Sequence, residues 1–279
     1  MKIKEALKYG EEKLASLDLP FLESSLLLCH ILDTEKEKLF SMMTDEISGS
    51  SFSEFAELVR KRLSGVPYAY ITGSREFFSR DFYVNENVLI PRPDTEVLIE
   101  AALEIASENR IETILDLCTG SGCIAVTLAL ELPESSVYAS DVSAGALDVY
   151  KENCRRYAVR PACFLSDLFE NINGKFNMIA SNPPYLTDNE VREKETEGLF
   201  EPALALAAGA DGLGIIRKII KISVDYLESD GYLLLEASPD QCDAVKYMML
   251  ESGFGDTMII NDLAGRNRVT IGKFYGNKA

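Results

Sequence analysis

Residues 114–125 decide the fold: Ile114-Leu-Asp116-Leu-Cys118-Thr119-Gly120-Ser121-Gly122-Cys-Ile-Ala125. A short apolar run enters a glycine-containing turn, and the apolar stretch IAVTLALEL follows at helical length. Strand, tight turn and helix in that order open a βαβ unit. Gly120 and Gly122 let backbone amides come close to a ligand, and the N-terminus of the following helix adds a positive dipole. The loop is therefore of the nucleotide-binding type.

Outward from this loop, strand candidates at 113–117, 136–140, 162–165, 177–181, 231–236, 257–261 and 267–274 alternate with helical stretches. The alternation predicts a doubly wound α/β fold on a parallel sheet, with ligands at the carboxyl ends of the strands. Upstream, residues 1–64 read as short helices: Ile3, Leu7 and Leu14, then Leu22, Leu26, Leu27 and Ile31, recur at helical spacing, punctuated by Pro20 and Gly65. Ser51 and Glu54 form a candidate capping box for the last of them. Residues 65–92 turn extended and aromatic, with a turn expected at Asn85, which predicts a β-hairpin connection. Asp94 is the expected N-cap of a helix carrying Val97, Leu98, Ala101 and Ile105. Three regions are expected: a helical domain, 1–64, that presents a surface; the hairpin linker, 65–92; and the ligand-binding sheet domain, 93–279. Segment 186–211 is too long for a plain connection, which marks it as functional or mobile.

Composition excludes several classes. With 279 residues, 47% hydrophobic and 26% charged, the chain buries a sizeable core and is neither disordered nor fibrous. Its 45 acidic against 28 basic residues leave a net charge of −17, which repels phosphate backbones and disfavours a direct nucleic-acid partner. Six cysteines without a CxxC pair, and the single histidine His30, leave little to hold zinc, so reduced thiols and no metal are expected. The charged amphipathic start is unlike a signal peptide, and no apolar run reaches the ~20 residues that cross a bilayer. A cytoplasmic monomer with no membrane partner is the expectation.

Acidic residues narrow the loop's ligand. Gly120, Gly122 and Ala125 satisfy the dinucleotide pattern, and Asp141, ending the next strand, is placed for ribose hydroxyls. A nicotinamide dehydrogenase fits that much. Against it, a helical domain precedes the sheet and no histidine follows to move a proton. Asp116, just before the loop, also suits an ammonium group, as in the methionyl part of S-adenosylmethionine, better than a pyrophosphate. Farther on, the strand NMIAS delivers Asn182-Pro183-Pro184-Tyr185 at its carboxyl end. Two prolines fix φ and remove amide donors, giving a stiff turn that presents carbonyl acceptors. A planar amide or exocyclic amine is a poor nucleophile because its lone pair is delocalised. Two acceptors on its N–H groups hold it and favour pyramidalisation as a methyl electrophile approaches. The Asn182 side-chain oxygen and the Pro183 carbonyl are candidates for those acceptors, with Tyr185 stacked on the planar group; the bland alternative is a proline-rich turn.

The glycine loop with this tetrapeptide resembles class I S-adenosylmethionine-dependent methyltransferases that modify amide or amino nitrogens. Four further stretches, 70–77 (YITGSREF), 89–96 (LIPRPDTE), 201–206 (EPALAL) and 211–213 (DGL), resemble the HemK-type release factor glutamine methyltransferases. The resemblance runs from about residue 65 to the end, and the helical N-terminal domain fits it in type. It implies a Rossmann-like seven-stranded methyltransferase sheet and S-adenosylmethionine as cofactor. It also implies methyl transfer to the glutamine side-chain amide in the Gly-Gly-Gln motif of peptide chain release factors. Carried over, the cofactor loop falls on Cys118, Thr119, Gly120, Ser121 and Gly122, the ribose acid on Asp141, and the adenine neighbour on Asp167 or Leu168. The glutamine falls to Asn182, Pro183, Pro184 and Tyr185, with Asn182 also near the cofactor. Cys118 stands where the family has its first glycine, and Leu168 where an aromatic residue often stands. An N6-adenine methyltransferase of DNA or RNA is the rival enzyme, since the tetrapeptide serves an exocyclic amine equally well; the acidity and the lack of a basic domain disfavour it. A fold that only docks would need a damaged pocket, and Asp116, Gly120, Gly122, Asp141 and the tetrapeptide are intact.

Other residues have plainer readings. Arg75 and Glu76 are expected to form an ion pair at the hairpin in preference to contacting the protein substrate, Arg92 to pack beside the pocket or touch substrate, and His30 to sit in or at the edge of the helical core. Glu190, Glu193, Glu195, Glu197 and Glu201 form either a solvated face or an attraction for a basic partner.

Overall fold

The helical spacing upstream of residue 65 is realised as α1 (Ile3–Lys13), α2 (Pro20–Leu32), α3 (Lys36–Ser41) and α4 (Gly49–Leu63), with a short α5 (Tyr68–Thr72) after them. This is a computed structural model that describes residues 1–196 and 200–276; Glu197 lies outside them. The chain divides between Ser74 and Arg75 into a helical unit and a sheet unit. Leu7, Leu14, Leu27, Leu28, Leu39 and Phe55 form the centre of the helical core. Two details depart from expectation. The cap of α4 is Ser48, whose Oγ accepts from the Ser51 amide at 3.0 Å, so Ser51 is already inside the helix. Three serines stand close together there, and the extended backbone of Ser48 decides between them. His30 is exposed on the last turn of α2, because an almost wholly apolar helix hides the phase of its buried stripe.

In the sheet unit, β1 (Ser74–Phe77) and β2 (Arg80–Tyr83) form the expected hairpin, and Phe77 and Phe82 meet edge to face in the core. Its turn is Phe78-Ser79, with φ of +50° and +57°, and not Asn85. Two residues at positive φ match the twist of the strands, and here they are supplied without the usual Asn-Gly signal. Arg75 donates to the Pro91 carbonyl at 3.3 Å instead of pairing with Glu76, since consecutive strand residues face opposite ways. The stretch 65–92 therefore divides, with α5 in the helical unit and the hairpin in the core of the sheet unit.

A single turn of 3₁₀ helix, Pro93–Thr95, leads into α6 (Glu96–Glu108). Asp94 does not cap that helix; its carboxylate pairs with Arg268 at 2.9 Å. Then follow β3 (Thr113–Leu117), α7 (Cys123–Glu131), β4 (Ser136–Asp141), α8 (Ala144–Arg156), β5 (Ala162–Leu165), β6 (Phe176–Ser181) and α9 (Asp188–Thr196). The chain continues through α10 (Gly214–Tyr226), β7 (Leu227–Glu236), α11 (Cys242–Glu251), β8 (Phe254–Asn261) and β9 (Asn267–Phe274). Strand order is β5-β4-β3-β6-β7-β9-β8. The first five strands in that order are parallel; β9 runs antiparallel to β7 and β8, because the turn joining β8 to β9 is too short for a crossover.

Both faces of the sheet are covered. Ile114, Met178, Ala180 and Leu234 pack with α6 and α7 on one side, and Leu115, Ile179, Leu233 and Leu235 with α10 and α11 on the other. From β3 the chain winds outward through β4 and β5, then returns to place β6 on the opposite side. The reversal opens a crevice at the carboxyl ends of β3 and β6. Asn153 on α8 secures its rim from within the core. Its Oδ1 accepts from the Tyr83 amide at 2.7 Å, and its Nδ2 donates to the carbonyls of Tyr83 and Ser121 at 2.9 and 2.8 Å. Replacing it by alanine strands these three backbone groups, the Ser121 carbonyl buried and the two of Tyr83 partly so. We expect Asn153→Ala to lower the unfolding free energy by about 2–5 kcal/mol in urea titrations; an unchanged midpoint would show the link to be dispensable.

Candidate active site

A cavity of about 280 Å³ occupies the crevice. Cys118, Thr119, Gly120 and Ser121 line it from the β3 loop, Asp141 from the end of β4, Asp167 and Leu168 from beyond β5, and Asn182 and Pro184 from beyond β6. The expected residues thus converge, apart from Asp116, Gly122, Pro183 and Tyr185, which do not line the cavity.

The loop's shape follows from backbone conformation. Cys118, Gly120 and Gly122 have φ of +58°, +54° and +81°. Positive φ at Cys118 explains why glycine suits the position and implies a local strain of about 1–2 kcal/mol. Burial raises the Cys118 thiol pKa, keeping the group neutral. At Gly120 nothing lies within 4 Å of where a Cβ would stand, which leaves that space to a ligand. At Gly122 a Cβ would press into the ring of Tyr150. Asp141 joins the loop to β4: Oδ2 accepts from the Gly120 amide and Oδ1 from the Ser143 amide, both at 2.9 Å. Burial raises its pKa, and these amides work against the rise.

Asp116 sits beneath the loop. Its Oδ2 accepts from Thr119 Oγ1 at 2.6 Å and from the Ala125 amide at 3.1 Å, while Oδ1 has no partner. Full burial pushes its pKa up to about 7. Ser181 Oγ donates to the Leu117 carbonyl at 2.7 Å and clamps the ends of β3 and β6 together. Asn182 Nδ2 then donates to Thr95 Oγ1 at 3.1 Å. The ring of Tyr185 packs on the α10/α11 side of the sheet, where burial lifts its pKa to about 12, and its carbonyl accepts from Gln241 Nε2 at 2.9 Å.

Two stretches singled out in the sequence meet here. Glu201 accepts from the Ile90 amide at 3.0 Å and from Arg92 Nη2 at 2.5 Å, so 89–96 and 201–206 clasp each other. Leu204, Ala205 and Ala207 bring segment 186–211 to the cavity wall. Glu190 caps α9 through Thr187, and Glu193 and Glu195 are exposed. The sequence reading missed Thr95, Lys218 and Ile215 on the wall, and Glu236 and Arg268 behind it. A lone glutamate closing the apolar run LLLE of β7 was the available signal for Glu236. Burial lifts the Glu236 carboxyl pKa to about 7.

This sheet, with its ligand cavity over β3 and β4 opening toward the Asn-Pro-Pro-Tyr turn after β6, defines a methyltransferase of the class I type. Models of the methyltransferase small domain and the PrmC N-terminal domain match residues 93–210 and 5–73. A methyltransferase structure from Pyrococcus furiosus shares the fold, with a TM-score of 0.52 at 15% identity, over 82% of this chain and 100% of that one. The release factor glutamine methyltransferase of Neisseria gonorrhoeae is 39% identical over 95% of this chain and 97% of its own length. A bifunctional methyltransferase of Rickettsia typhi is 38% identical over 96% of this chain but only 56% of its own length. The chain belongs to the release factor glutamine methyltransferase family. No helix among the described residues is long and apolar enough to cross a membrane, and no group of His, Cys, Asp or Glu among them could hold a metal ion.

The buried carboxyls make stability depend on pH. Asp116 and Glu236 rise from ordinary values of 3.8 and 4.5 to about 7, so they bind protons more tightly folded than unfolded. Their stabilising contribution is complete below about pH 4 and is lost as pH rises through about 7. Asp116→Asn keeps an oxygen for Thr119 and Ala125 but removes the titration. Between pH 5 and 8 its urea midpoint should fall less steeply than the parent's; parallel curves would contradict the assignment.

Proposed function

We infer that the chain transfers a methyl group from S-adenosylmethionine to the side-chain amide nitrogen of glutamine in the Gly-Gly-Gln motif of peptide chain release factors. The observation that carries this is the placement of Asn182 on the wall of the same cavity as Asp141 and the glycine loop. When bound, S-adenosylmethionine supplies an electrophilic methyl group on a sulfonium. Asp141, already held by two amides, accepts from the ribose hydroxyls. Asp167 and Leu168 flank the adenine, with Leu168 giving apolar cover in place of an aromatic stack. The loop from Cys118 to Gly122 follows the methionyl chain. Asp116 supports that loop from beneath through Thr119 Oγ1 and the Ala125 amide.

For the glutamine, Asn182 Oδ1 and the Pro183 carbonyl accept the two amide N–H groups. That hold rotates the nitrogen lone pair out of conjugation and toward the methyl group. Transfer would form the N–CH₃ bond as the S–CH₃ bond breaks, leaving a neutral thioether, with the displaced amide proton released to solvent. Pro184 shapes the wall, and Tyr185 braces the turn through its packed ring and the bond from Gln241. The helical unit recognises the folded release factor, since the cavity reads only one side chain.

Methyl-labelled cofactor, offered release factor in one reaction and adenine-containing DNA in another, tests the class of substrate. Label on the release factor glutamine is expected, and label on DNA would establish the adenine reading instead. Asn182→Ala should lower kcat by about 100- to 1000-fold with cofactor affinity unchanged. Asp141→Ala should weaken cofactor binding by about 10- to 100-fold in calorimetry. Removing residues 1–74 should raise KM for release factor while the sheet unit, checked by circular dichroism, still binds cofactor.

A further inference from the structure

We propose that Thr95, with the buried carboxylate of Glu236 behind it, sets the direction of the Asn182 side-chain amide and is thereby a positioning residue for methyl transfer. The proposal rests on the reading of Asn182 as the acceptor for the substrate amide.

The juxtaposition comes from the sheet. Ser181 pairs with Leu235 across β6 and β7, so Asn182 and Glu236 follow side by side at the carboxyl ends. Alternation puts them on the face that holds Ala180 and Leu234, the face covered by α6. Thr95 precedes α6 and is 2% exposed; Glu236 is 0% exposed. An asparagine amide has nearly the same shape either way round, and its two orientations differ only in which end donates. The orientation in the structure turns Nδ2 to Thr95 Oγ1 and leaves Oδ1 for the cavity. The reverse would set an N–H donor against the substrate's own N–H donor and abolish the hold.

Proton supply at Thr95 selects between the two. Its hydroxyl has one proton and two acceptor lone pairs. A proton directed at Glu236 leaves only acceptor capacity toward Asn182, which must then offer its NH₂. Burial raises the Glu236 pKa and the neighbouring Thr95 hydroxyl works against that rise, although neither carboxylate oxygen has a hydrogen-bond partner. A buried carboxylate without partners draws on any donor within reach, because leaving it unsatisfied is expensive. The positive charge of Arg268, whose Nε is also unpartnered, works against the rise as well.

Three variants of the full chain test this by release factor methylation. Thr95→Val keeps the shape and loses the acceptor; Thr95→Ser keeps the hydroxyl. We expect Thr95→Val to lower kcat by about 10- to 100-fold, with cofactor Kd and release factor KM within about threefold of the parent, and Thr95→Ser to restore kcat to within about threefold. Glu236→Gln can donate to Thr95 and free the hydroxyl proton for Asn182 Oδ1, so its kcat should fall as for Thr95→Val. Combining Thr95→Val with Asn182→Ala should lower kcat no further than Asn182→Ala alone. Parent-like kcat in Thr95→Val, or equal loss in Thr95→Val and Thr95→Ser, would overturn the proposal while leaving Asn182 in its role. If Thr95→Val fails to fold, parent-like kcat in Glu236→Gln overturns it equally. Parent-like kcat in Asn182→Ala would remove the reading beneath it.

Discussion

Parallel pairing of β3 with β6 is the constraint on which the site depends. The register from Ile114 against Met178 to Leu117 against Ser181 brings both strands to an end at the same level. The Ser181 hydroxyl on the Leu117 carbonyl holds that level. The glycine loop and the Asn-Pro-Pro-Tyr turn therefore leave the sheet at one mouth. Winding in opposite directions from β3 keeps helices from filling the space between them. Without that reversal, a cofactor loop and a methyl acceptor clamp some 60 residues apart in sequence would have no reason to face each other.

One layer below the cavity lie two wholly buried carboxyls, Asp116 and Glu236. Each carries an oxygen without a partner, and burial shifts each to about 7. Neither lies on the cavity wall. Asp116 acts through Thr119 and Ala125, fixing the start of α7 under the loop, and Glu236 lies behind Thr95. Placing charge where it lowers stability while orienting the polar groups above it is how a site obtains dipoles that do not reorganise during reaction. The ion cluster of Asp94, Asp262, Arg266 and Arg268 extends the same arrangement to β9, tying the Pro93–Thr95 turn to the antiparallel end of the sheet.

Where the sequence reading and the structure differ, the choice lay between locally equivalent options. Three neighbouring serines could each cap α4, and backbone direction chose Ser48. The hairpin turn fell on Phe78-Ser79 because strand twist requires positive φ there, whatever the residues prefer. Asp94 looked like a helix cap until Arg268, far away in sequence, offered a full charge. Glu201 read as one of five acidic residues forming either a solvated face or an attraction for a basic partner, yet it alone among the described members of that group accepts a backbone amide from the stretch 89–96, at Ile90.

The sequence by itself determined the strands, the glycine loop, the stiff tetrapeptide and Asp141, because hydrophobic period, positive-φ glycines and proline geometry act within a few residues of one another. Tertiary structure alone decided the strand order, the antiparallel β9, the clasp of Arg92 on Glu201, and the meeting of Thr95, Asn182 and Glu236. These pairs join residues about 50 to 140 positions apart and leave no periodic trace along the chain. They form because a buried polar group must find its partner wherever the packed sheet places one.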